Sequence, residues 1–164
     1  MIVLRSRVHR SLHAPVCLLA AATCAFVLNA GAAGASGTTA HAARTITLNE
    51  SGKLHLTSHH GFHLNEQGTA SGTIRGSIYI HLNVSSTNRV TAEVSIYPSN
   101  GSLTGSGTAN YRSNGGQATF SGTLAITRGS GTYAHAHASN LNFSGTIQRS
   151  NDATTVRVSG PLSY

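Results

Sequence analysis

The stretch Ala70-Ser-Gly-Thr-Ile-Arg-Gly-Ser-Ile-Tyr-Ile-His-Leu-Asn-Val84 alternates in steps of two without a break. Ala70, Gly72, Ile74, Gly76, Ile78, Ile80, Leu82 and Val84 share one parity, and Ser71, Thr73, Arg75, Ser77, Tyr79, His81 and Asn83 fill the other. Successive side chains of a strand point to opposite faces, so the segment reads as a long strand with one dry face and one wet face. Gly72 and Gly76 are the places where such a strand bends.

The same pattern continues on both sides. It predicts strands over 45–49, 53–57, 69–85, 89–97, 102–112, 117–127, 139–149 and 154–164. Turn chemistry falls between them at Asn49 to Gly52, Ser86 to Asn88, Pro98 to Gly101, Ser113 to Gly116, Arg128 to Gly131 and Ser150 to Asp152. Short Asn-, Gly- and Ser-rich connections join antiparallel neighbours. An all-β fold follows, an eight-stranded antiparallel up-and-down β-barrel, with a two-sheet β-sandwich as the alternative.

Residues 1–35 read as an address. Arg5, Arg7 and Arg10 precede an apolar run from Val16 to Leu28, and small residues follow. This is the layout of a secretory signal peptide, and the run is short of the ~20 residues of a membrane-spanning helix. Small-x-small triplets place cleavage between 32 and 42. Residues 36–44 then form a flexible N-terminal segment and 45–164 one barrel domain, so the mature chain carries no integral membrane span. Both cysteines, Cys17 and Cys24, fall within the leader, leaving neither a disulfide nor a thiol nucleophile in the domain. A lipidated Cys24 and an uncleaved anchor are the alternatives.

Eight Lys and Arg residues against four acids leave the mature chain at +4. Arg44, Lys53, Arg75, Arg89, Arg112, Arg128, Arg149 and Arg157 are spread about one per strand or turn. A nucleic-acid groove needs clustered bases interleaved with aromatic residues, so no nucleic-acid partner is expected.

Ser-Gly-Thr followed by an aliphatic recurs at Ser71 to Ile74, Ser121 to Leu124 and Ser144 to Ile147, more loosely at Ser106 to Ala109. Each glycine falls on the apolar parity. It leaves room inside for a large side chain across the core or for a ligand.

The run from Phe120 through Arg128-Gly-Ser-Gly-Thr-Tyr133 to Ala138 resembles the signature of the allene oxide cyclase and dirigent-like barrels, in which a strand enters a Gly-Gly-Thr-Gly-x-Phe/Tyr turn followed by an Ala-x-Gly step. Gly129, Ser130, Gly131, Tyr133 and Ala136 match in kind; Arg128 and Ala138 replace the outer glycines. The resemblance, carried mainly by 101–138, implies an eight-stranded barrel with an apolar interior that holds or steers apolar or phenolic molecules. None of that family's catalytic residues carries over to a position here.

Acid–base chemistry inside a barrel needs a carboxylate or histidine on the inward parity. Glu93 faces outward, and Glu50, Glu66 and Asp152 fall in the turns and loops, so no catalytic residue is expected. Tyr111 and Tyr164 are the polar groups on the inward parity, with Tyr133 at a turn. His55, His59, His60 and His63 crowd one loop region, and His135 and His137 are spaced to share a strand face. Neither set matches a metal-ligand spacing, and no metal or cofactor is expected.

The residues expected to contact a ligand are Ile74, Ile78, Ile80, Tyr111, Phe120, Leu124, Tyr133 and Phe143. The chain reads as a secreted or envelope-associated noncatalytic barrel binding a small apolar or phenolic molecule. A dirigent-like isomerase or cyclase and a structural surface protein are the alternatives, and an outer-membrane barrel is a further one, suggested by the final alternation from Val156 to Tyr164.

Overall fold

The computed structural model describes residues 43–164. The segment read as a leader, with both cysteines, lies outside the described residues. Eight strands follow one another: β1 (Thr45–His60), β2 (His63–Gly72), β3 (Gly76–Ser86), β4 (Arg89–Tyr97), β5 (Gly101–Asn114), β6 (Gln117–Gly131), β7 (Ala138–Gln148) and β8 (Ala153–Ser163). Each pairs antiparallel with the next, and β1 pairs with β8 from Thr45↔Ser163 to His55↔Ala153, so the sheet closes into a barrel. Closure leaves no edge strand, and the sandwich alternative does not hold.

Eight strands were expected and eight are present, but several boundaries move: the expected turn at Arg128 to Gly131 is the end of β6, still paired with β5 at Gly101↔Gly131, and β1 and β2 extend into the expected loop up to a tight hairpin at 61–62. The expected turn at Asn49 to Gly52 is the middle of β1, which runs straight through it. Gly52 points inward, where a Cβ would come within 2.7 Å of Val156 Cγ2 and 3.2 Å of Ile78 Cδ1. It is a packing glycine rather than a turn glycine. Conversely, the unbroken 70–84 alternation is two strands, parted by a tight turn over 73–75. Gly72 takes φ +140° there, which a side chain would resist. Parity survives the turn because Ile74 still reaches the core. One merger and one split leave the count unchanged.

The apolar parity faces in. Leu48, Ile78, Ile80, Leu103, Leu124, Leu141, Phe143, Val156 and Leu162 are fully buried, and the outside is built of Ser, Thr, Asn and Arg. A lipid-facing barrel requires the opposite arrangement. Of the glycines in the recurring motif, Gly145 makes room for a side chain, since a Cβ there would lie 2.2 Å from Phe120 Cζ, whereas a Cβ on Gly72, Gly107 or Gly122 would first meet backbone carbonyls of the neighbouring strand. Phe120 stacks on Phe143 at 5.1 Å between centroids. Of the two uses of that room, packing is the one the barrel adopts at these levels.

Candidate functional site

Two carboxyl groups stand inside the barrel, contrary to the expectation that Glu50 and Glu66 lie in turns. Glu50 is on β1 in the series Leu48, Glu50, Gly52, Leu54, and Glu66 is on β2 in the series Leu64, Glu66, Gly68, Ala70. Each is 3% exposed. They are set apart along β1 by the rungs of Gly52 and Leu54, since Glu50 pairs with Gly72 and Leu56 with Glu66. One therefore lies toward each end of the barrel.

Glu50 has a visible structural task. Its carboxylate passes over Gly72, where a Cβ would meet Oε2 at 2.9 Å, and Oε1 accepts the Ile74 N–H at 2.5 Å. The same turn is held by Thr73 N–H donating to the Asn49 carbonyl at 3.2 Å and Asn49 N–H donating to Thr73 Oγ1 at 3.0 Å. Burial pushes the carboxyl above the usual range, and the backbone N–H groups of Ile74 and Thr73 oppose that shift. Tyr133 belongs to this end: its ring packs on Tyr164 at 5.0 Å, and the Arg44 guanidinium lies 5.8 Å from the Tyr164 centroid. The Tyr133 phenol is pushed up by burial first, then by Tyr164 and Glu50, against the pull of Arg44 and a hydrogen bond with the Asn100 side chain.

Glu66 has less to hold it. Thr154, itself buried on β8, donates its hydroxyl to Oε1 at 3.0 Å. Burial is the main cause that raises the carboxyl to about 7; the Thr154 hydroxyl lowers it and the negative charge of Asp152 raises it further. Glu50 Oε2 and Glu66 Oε2 are buried with no hydrogen-bond partner among the described residues. A buried charged oxygen without a partner is among the costliest arrangements in a protein interior, and such a group calls for an explanation.

Seven of the eight residues expected at a ligand site belong to the one buried core, and Tyr111 packs against it. Ile74 and Tyr133 lie at the Glu50 end, while Ile78, Ile80, Leu124, Phe120 and Phe143 pack the interior, Ile80 directly opposite Glu66 in the β2–β3 register. Tyr111 is only half-buried, and its hydroxyl accepts from Arg149 Nη2 at 3.2 Å near the β7–β8 turn. The alternation that reveals Glu50 and Glu66 is present in the sequence. A carboxylate occupies an apolar slot in each, and the neighbouring turn-like residues obscure the slot.

The histidines stay outside. His55, His59, His60 and His63 decorate the exposed β1–β2 hairpin, and His135 lies in the β6–β7 turn rather than on a strand with His137. His137 forms an isolated bridge to Ser163, and its Nδ1 contacts the His135 carbonyl at 3.1 Å. No group of three or more potential metal ligands occurs among the described residues. In the Gly129 to Ala136 segment, Gly131 turns the chain at φ +59°, and a Cβ on Gly129 would strike the Tyr133 carbonyl. Comparison of the chain with protein-family models, with curated proteins and with solved structures finds no match.

Proposed function

We propose that the chain is an exported β-barrel that binds a small, mainly apolar or phenolic molecule through its interior, with a carboxyl group as the polar contact. One observation carries this reading: the barrel keeps two inward carboxyls whose outer oxygens have no partner among the described residues. Glu50 earns its place by pinning a turn, whereas Glu66 is anchored by a single hydroxyl. A ligand group that donates a hydrogen bond to Glu66 would offset the cost of burying it. Because Gly52 and Gly145 are filled by side chains, the barrel ends rather than its middle hold the ligand. The likeness of the Gly129 to Ala136 segment to dirigent-like barrels supports the same ligand class, and the residue 1–35 leader supports export to the medium or envelope.

Native mass spectrometry of the protein from its producing cells, before and after organic extraction, tests the reading. A reproducible small mass that leaves with the solvent and is reduced in Glu66→Gln is the expected result. A bare polypeptide mass at full yield in both proteins overturns it. An isomerase or cyclase is the second reading, favoured by a carboxyl raised to about 7, the range suited to proton transfer near neutrality. It requires that Glu66→Gln keep the extracted compound while losing its conversion.

A further inference from the structure

The outer wall of β3 and β4 carries a second feature, unrelated to the interior. Tyr79 and Tyr97 meet edge to face, 5.6 Å between centroids and 83° between planes, and Tyr97 is 51% exposed. With Ser77, His81 and Ser95 they line an open groove of about 460 Å³. Five outward side chains from two adjacent strands thus present two aromatic rings, two hydroxyls and an imidazole, with no acid, Lys or Arg in the lining.

The imidazole is oriented. Asn65 Nδ2 donates to Ser58 Oγ at 2.8 Å, which turns Asn65 Oδ1 toward His81 Nδ1. An amide oxygen only accepts, so Nδ1 of the neutral ring carries the hydrogen and Nε2 is left as an acceptor. Ser95 Oγ is steadied by Thr104 Oγ1 at 3.2 Å. A large aromatic surface is ordinarily buried, and an exposed Tyr97 ring braced by the half-buried Tyr79, with polar groups fixed around it, marks a binding surface.

We infer that this groove binds a neutral saccharide: a sugar ring lays its C–H face on Tyr97, donates a hydroxyl to His81 Nε2 and meets the hydroxyls of Ser77 and Ser95. The lining holds no Lys or Arg to pair with an acidic sugar, and the exposed Glu93, opposite His81 in the β3–β4 register, sets a carboxylate at its rim, so a neutral sugar is favoured over an acidic one. A flat phenol would find rings on one side and water on the other, whereas a sugar keeps its polar rim in contact with both the groove and the solvent. The position, on the outer wall, makes the site independent of any interior ligand.

The experiment is affinity electrophoresis of the whole protein through gels containing dextran, laminarin, galactomannan or xylan. Binding to the retarding glycan is then quantified by tyrosine fluorescence, which is clean because the chain has no Trp. At least one glycan should retard the protein. Tyr97→Ala should weaken binding about tenfold or more, and His81→Ala should also weaken it, while Tyr97→Phe should retain most of it. Far-UV circular dichroism checks that the exposed substitutions leave the barrel intact. No retardation by any of the four glycans overturns the inference, as does retardation unchanged in Tyr97→Ala. Two further results also overturn it: catechol binding at the groove without glycan binding, or a dimer that Tyr97→Ala converts to monomer.

Discussion

Replacing Glu66 by Gln removes a charge from the barrel while keeping the shape of the side chain. In the folded protein the Glu66 carboxyl is raised from 4.5 to about 7, with burial as the leading cause. Below the unfolded value the group is protonated in both states and costs nothing. Between 4.5 and 7 the unfolded chain releases the proton while the folded chain keeps it, so stability falls as pH rises. Above 7 both states are ionised and the full cost of a buried carboxylate is present. A difference of this size corresponds to about 3 kcal/mol, and Glu50 adds to it in the same direction. Urea and thermal unfolding followed by far-UV circular dichroism from pH 4 to pH 8.5 measure it. The wild-type barrel should be most stable in acid and lose about 3 kcal/mol or more by pH 8.5, roughly 10–15 °C in Tm for a domain of this size. Glu66→Gln should lose the Glu66 part of the pH dependence, retain the part due to Glu50, and exceed the wild type at pH 8.5. Equal wild-type stability at the two ends of the range would refute the reasoning.

The packing and the turn can be probed in the same way. Gly145→Val drives a side chain into the Phe120 ring and should destabilise the barrel by about 1–3 kcal/mol, an effect that Phe120→Leu in the same chain partly relieves. Phe120→Ala alone should cost about 3–5 kcal/mol in urea unfolding through loss of its contacts with Phe143. Glu50→Ala leaves the buried Ile74 N–H without its acceptor and should cost about 1–3 kcal/mol, with accelerated amide exchange confined to the 73–75 turn. Because the charge of Glu50 helps raise the Tyr133 phenol, Glu50→Gln should move the Tyr133 ultraviolet titration to lower pH.

Strand count and inward face were legible from parity, because a closed barrel with one dry face imposes a period of two on every strand. Boundaries were harder where the residue chemistry serves packing. Gly52 resembles a turn glycine and is a small residue beneath Val156 and Ile78. Gly72 sits within an unbroken alternation and ends a strand. The carboxyls were obscured for the same reason. Glu50 falls in the turn-like Asn49 to Gly52 between two short expected strands, and Glu66 follows a run of histidines that resembles a loop, so neither position was assigned to a strand. Extending the apolar parity backward from Ala70 through Gly68 reaches Glu66, and from Leu54 through Gly52 it reaches Glu50. The Tyr79–Tyr97 groove was not visible from either strand alone, because it depends on the β3–β4 register that sets Ser77 opposite Tyr97 and Tyr79 opposite Ser95.

The most direct test is a carbon-detected NMR titration of the side-chain carboxyls, recorded on the extracted protein and again after the extract is returned. The account predicts a Glu66 midpoint near 7, a Glu50 midpoint above the ordinary range, and a displaced Glu66 signal when the extract is present. A Glu66 carboxyl that titrates near 4.5 and ignores the extract would contradict it, placing that group in water and the function elsewhere on the barrel.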